Sequence, residues 1–174
     1  MLDTAFSDWH DFYVLLGGAA ATLVGLTFVA ASIGAGVLTT DHEHGLRTFI
    51  TPTVVHFAAI LGAALLILAP FTSGRGLGVA LFAEGIGGIA YSLFIVREIR
   101  RSKYIASLVL IDRVWYALAP VVAYAVLAGA AGALVAGSPS HPAMLAGGLG
   151  LLMLAGIRNA WDMMVWIMLR PRDR

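Results

Sequence analysis

The sequence predicts an all-α integral membrane protein: a single domain, residues 1–174, built as a bundle of five transmembrane helices. Three observations carry this. Apolar residues make up 60% of the chain and charged ones 12%, about half the charged share of a soluble domain, so a water-soluble fold would lack polar groups to cover itself. The ionisable side chains leave gaps of membrane-spanning length between them. Those gaps are continuously apolar rather than alternating, which fits helices and not barrel strands.

The first gap runs from Phe12 to Thr40, between Asp11 and Asp41, and gives a span over about 12–38. It follows Asp3, Asp8 and Asp11 with no basic region, so it reads as a span rather than a cleavable leader. Between Arg47 and Arg75 only His56 interrupts, giving a span over about 49–71. Between Arg75 and Arg97 only Glu84 interrupts, giving about 76–96. The stretch from Arg113 to Arg158 is too long for one helix and breaks at Gly137-Ser-Pro-Ser-His-Pro142. It therefore yields two spans, about 114–136 and 143–169, with Pro142 suited to a helix start. Tyr104–Ile111 is too short to cross and reads as an interfacial segment.

Orientation follows from the basic residues in the connections. Arg47, Arg97, Arg100, Arg101, Lys103, Arg113, Arg170, Arg172 and Arg174 fall on one side, and only Arg75 on the other. The N-terminus is expected outside and the C-terminus in the cytoplasm. Trp9 and Tyr13 then mark the outer interface, and Trp115, Tyr116 and Trp166 the inner one.

Helices in lipid pack through small residues that let backbones approach. The first span carries Gly17, Ala21 and Gly25 at four-residue spacing, and the fourth Ala125, Gly129 and Ala133. On a 3.6-residue helix, Gly87 and Gly88 lie within about 60° of Glu84, and Gly147 similarly close to Arg158. These faces serve packing within one bundle or contact between subunits; the composition leaves both open.

Ionisable groups inside a span are costly, so each is a functional candidate. His56, Glu84, Arg158 and Asp162 qualify. At about 1.5 Å per residue, Arg158 and Glu84 both lie some 18–20 Å from the cytoplasmic boundary, so depth pairs them. His56 and Asp162 share a shallower level, about 12 Å in. Arg158 and Asp162 also form an i,i+4 pair. Asn159, Tyr124, Thr22 and Thr27 stand near the same depth and offer hydrogen bonds. The cluster reads either as a fully paired network that fixes helix register or as a proton- or ion-coupled site.

Several chemistries are excluded or set aside. No Cys is present, and no HExxH or nucleophile motif, so no catalytic residue is expected. No cofactor is expected; a lone His56 in the hydrocarbon core argues against haem. A net charge of +1 without a basic block argues against nucleic acid. The GxGxxA string at Gly85–Ala90 lies inside an apolar helix with no strand before it. Asp41–His44, and Asp8, His10 and Asp11 with His141, read as solvated ends and caps rather than metal sites.

The run Trp9–Ala30, with Ile157-Arg-Asn-Ala-Trp-Asp162 near the end, resembles small uncharacterised multi-pass bacterial membrane proteins. The resemblance implies a bacterial inner-membrane setting and no particular activity, and ten Arg to one Lys suits a GC-rich bacterial genome. The functions in view are a homo-oligomeric channel-like or transporter-like protein passing protons or small ions, and a non-catalytic accessory subunit of a larger membrane complex.

Overall fold

The computed structural model describes residues 6–35, 43–70, 73–101, 114–138 and 141–168. These residues form five long helices: α1 His10–Ala35, α2 Glu43–Leu68, α3 Gly74–Arg101, α4 Ala119–Val135 and α5 His141–Met168. A π-helical turn, Val114–Leu118, leads into α4. All five helices are long and apolar enough to cross a membrane, the fourth counted together with its π turn. There is no strand among the described residues.

The helix ends follow local chemistry. Ser73 caps α3, its Oγ accepting from the Gly76 amide at 3.2 Å. α4 stops where Gly137 takes φ +78°, a left-handed conformation that costs a glycine little. There the Ser138 amide donates to the Ala133 carbonyl at 2.9 Å and the Gly137 amide to Leu134 at 3.1 Å, closing the last turn of the helix. α5 begins at His141, so Pro142 falls in its first turn, where a missing amide hydrogen removes no helical bond. α2 starts before the expected span and runs through Pro52 without ending there. On α1, Thr22, Thr27 and Ser32 each donate to the carbonyl four residues back, at 2.9, 2.7 and 2.9 Å. Those hydroxyls are satisfied by their own helix, so Thr22 and Thr27 join no interhelical network there. Tyr104–Ile111 and Asp41 lie outside the described residues.

Helices α2, α3, α4 and α5 form a ring in which each packs on its two neighbours, and α1 lies outside it against α2 and α5. The seam between α3 and α4 is made by glycine. A Cβ on Gly78 would meet Val135 and the Ala131 carbonyl, one on Gly85 the backbone of Ala128, and one on Gly88 the ring of Tyr124. Residue numbers rise on one helix as they fall on the other, so the two run antiparallel with backbones in near contact. The α4–α5 seam uses Gly148 against Ala123 and Leu127, and the α2–α5 seam seats Phe57 on Gly156.

Of the residues expected to pack helices, Gly17 meets Ala64 and Gly88 meets Tyr124. The others make no such contact within the bundle: Gly25, Gly87, Gly129 and Gly147 have no atom within 4 Å of a would-be Cβ, and Ala21 is exposed. On α4 and α5 the contact within the bundle lies one residue away from Gly129 and Gly147, at Ala128 and Gly148. One residue is about 100° of helix rotation.

Tyr13 is fully buried, and its hydroxyl donates to the Pro142 carbonyl at 2.8 Å. This bond ties α1 to the start of α5. Tyr13→Phe is expected to lower stability by about 1 kcal/mol, read from unfolding in mixed micelles. No change would mean that packing alone holds α1.

Candidate functional site

The interior of the four-helix ring holds His56, Tyr124 and the Glu84 carboxylate. From α2, His56 is 2% exposed, and its Nδ1 lies 3.0 Å from the hydroxyl of Tyr124 on α4. The bond crosses the ring on its diagonal. The two rings are tilted at 54° with centroids 5.6 Å apart, and Tyr91 of α3 meets His56 edge-on at 6.3 Å. Tyr124 is fully buried, and its ring occupies the place a side chain on Gly88 would take.

Glu84 sits on α3, seven residues before Tyr91 and on the same face. Its Oε1 is 3.6 Å from where a Cβ on Gly62 of α2 would stand, so the carboxylate points across to α2. Tyr124 is within electrostatic range of both Glu84 and Tyr91. Both Glu84 oxygens are buried with no hydrogen-bond partner, as are the Tyr91 hydroxyl, Ser92 Oγ and Asn159 Oδ1. Native interiors leave few polar atoms in that state, and each calls for a specific explanation.

The expected pairing of Glu84 with Arg158 is not formed. Arg158 bridges Asp162, one turn further along α5, and the two side chains are 36% and 27% exposed. Depth matched the residues, but helix rotation separates them. Glu84 faces the ring, whereas Arg158 lies on an outward face with Ile157 and Trp161, which are 44% and 67% exposed. His56 and Asp162 are not joined either, since His56 bonds Tyr124. Asn159 is buried at 2% exposure, and its carbonyl accepts from Tyr116 of the π turn at 3.2 Å.

Thus the six residues expected as one cluster fall into three groups: His56 with Tyr124 and nearby Glu84, Arg158 with Asp162, and Asn159 beside Tyr116. Tyr91 and Gly62 complete the first group and carry no charge that would single them out in sequence. Tyr91 is marked only by its heptad distance from Glu84. No set of three metal-ligating side chains comes together among the described residues.

The chain matches no family model, no curated protein and no solved structure.

Proposed function

We propose that the chain is a subunit of a small channel-like or transporter-like homo-oligomer of the bacterial inner membrane, passing protons or small ions. In this reading the N-terminus lies outside and the C-terminus in the cytoplasm, as the nine-to-one distribution of basic residues favours. The reading assigns no catalysis and no cofactor.

One observation carries it: the buried Glu84 carboxylate has no protein partner among the described residues. A network kept only for structure is expected to be fully paired, because an uncompensated buried charge is strongly destabilising. A carboxylate left open is suited to taking up and releasing a proton or small cation. Next to it, the Tyr124 hydroxyl and His56 ring form a hydrogen-bonded pair that donates and accepts in turn. Glu84, Tyr124 and His56 thus offer a short relay within the bundle, from α3 across α4 to the middle of α2.

The test is flux into proteoliposomes under an imposed potential. Glu84→Gln keeps the shape of the side chain and breaks no hydrogen bond within the protein, so the variant is expected to fold as well as wild type. Proton or cation flux is expected to fall at least about tenfold. Equal flux from the two folded proteins, or none from wild type, would overturn the reading.

A second reading, the non-catalytic accessory subunit, is favoured by the outward-facing Arg158–Asp162 pair. Charges placed on a lipid-facing surface call for a protein neighbour.

A further inference from the structure

The interior of the ring changes character along its length. On α3 the face that carries Glu84 carries buried Leu77 and Leu81 before it, and Tyr91 and Ser92 after it. α5 repeats that order, with buried Leu145 and Leu152 ahead of Asn159 on one face. α2 runs the opposite way and shows the opposite order, Thr53 and His56 first, then Ala63 and Ile67. The heights agree, since Gly78 lies against Val135, Gly88 against Tyr124 and Phe57 against Gly156. Among the described residues, the buried polar side chains of the ring, Thr53, His56, Ser92 and Asn159, therefore all lie on one side of Glu84. That side is the end at which α2 begins and α3 and α5 finish. The same half holds three buried oxygens with no hydrogen-bond partner, the Tyr91 hydroxyl, Ser92 Oγ and Asn159 Oδ1. The half towards the α4–α5 turn is filled by leucine, isoleucine and alanine.

We infer that Glu84 is reached from one end of the bundle only, through an inlet that admits water and small cations, and that the leucine-rich half is the gate on its other side. Water supplies what the three oxygens lack, because it donates and accepts at once and settles in protein interiors where otherwise unsatisfied polar groups are buried. Ser92 lies about 12 Å along α3 from Glu84, so these oxygens mark out a path to the carboxylate. Tyr91 and the His56–Tyr124 pair stand between the two levels. Beyond Glu84, Leu81 and Leu77 offer no hydrogen bond, and an apolar constriction stops ions by excluding water. Passage past Glu84 then requires the leucine layer to part. The polar half ends at Arg97 and Arg100, with Arg75 at the opposite end, so the inlet opens to the cytoplasm in the orientation proposed above. The inference rests on the reading of Glu84 as the site and adds the side from which it is loaded.

The chain contains no cysteine, so single thiols can report on the full protein in sealed membrane vesicles. Silver ion is the probe: a small cation, excluded from lipid, that binds a thiol and blocks its later labelling by maleimide in denaturant. Arg75→Cys and Arg100→Cys, exposed at the two ends, establish which side the ion is on. Ser92→Cys is expected to react only when silver is added on the Arg100 side. It is expected to react at least about tenfold faster than Leu81→Cys or Ile67→Cys, which resist from both sides. Thr53→Cys on α2 is expected to behave as Ser92→Cys does, and takes its place if that variant does not fold. Reaction of Ser92→Cys or Thr53→Cys from the Arg75 side, or no faster than at position 81, would overturn the inference. So would Leu81→Cys or Ile67→Cys reacting as fast as the polar positions. Labelling is scored without flux, so an inlet without conduction and conduction without a one-ended inlet are separable results.

Discussion

Gly88→Ala is expected to cost about 3 kcal/mol, the upper end of what overpacking does, and to remove most folded protein from the membrane fraction. A Cβ at this position would overlap Cδ1 and Cε1 of Tyr124. Tyr124 is fully buried, so its ring has no free space to swing into. Displacing it breaks the bond to His56 and opens the α3–α4 seam, where Gly85 already touches the Ala128 backbone. The neighbouring Gly87 faces nothing within 4 Å, so Gly87→Ala is expected to be neutral or to stabilise by up to about 1 kcal/mol, the ordinary gain of alanine in a helix. Stability in mixed micelles, measured side by side, checks the pair. Equal behaviour of the two variants would mean that the seam is not where the structure places it.

Phe57→Ala is expected to lower stability by about 4 kcal/mol. Phe57 is fully buried, and its ring edge fills the place of the missing side chain on Gly156, where a Cβ would come within 2.5 Å. In a bilayer the loss is one of packing rather than of water exclusion, since lipid tails are as apolar as the helix interior. Gly156→Ala alone is expected to be destabilising for the opposite reason, too much volume. The double variant is expected to be at least about 1 kcal/mol more stable than the sum of the two, because each relieves the other. Strict additivity would show that the residues do not share a site.

The positions of the helices were legible in sequence because charge is excluded from the spans. The turn at Gly137 was legible because glycine and two prolines interrupt a long apolar run. Rotation about each helix axis was not legible. α1 and α4 are apolar around nearly their whole circumference, so polarity does not mark an inward face, and a choice between Gly87 and Gly88 or between Gly147 and Gly148 has no compositional basis. The same gap explains the Glu84–Arg158 error. Depth along a helix can be counted from its ends, but facing depends on which neighbour carries the small residue. Gly62 draws Glu84 towards α2, while Arg158 finds its countercharge on its own helix. The burial of Tyr13 was not legible for a different reason. A tyrosine near a span end has the same sequence signature whether its hydroxyl meets water or a buried carbonyl.

The contacts of α5 bear on how the protein is made. A ribosome delivers this helix after the other four. Yet α5 provides the acceptor for Tyr13, the seat for Phe57 and the carbonyl that holds Tyr116. Until it arrives, α1 is held to the ring by α2 alone, and α2 and α4 each lack one neighbour. The ring is thus closed only when the last helix is in place. A chain released before α5 is translated presents an unfilled groove and unsatisfied hydroxyls, marks by which membrane quality control tells an unfinished protein from a finished one.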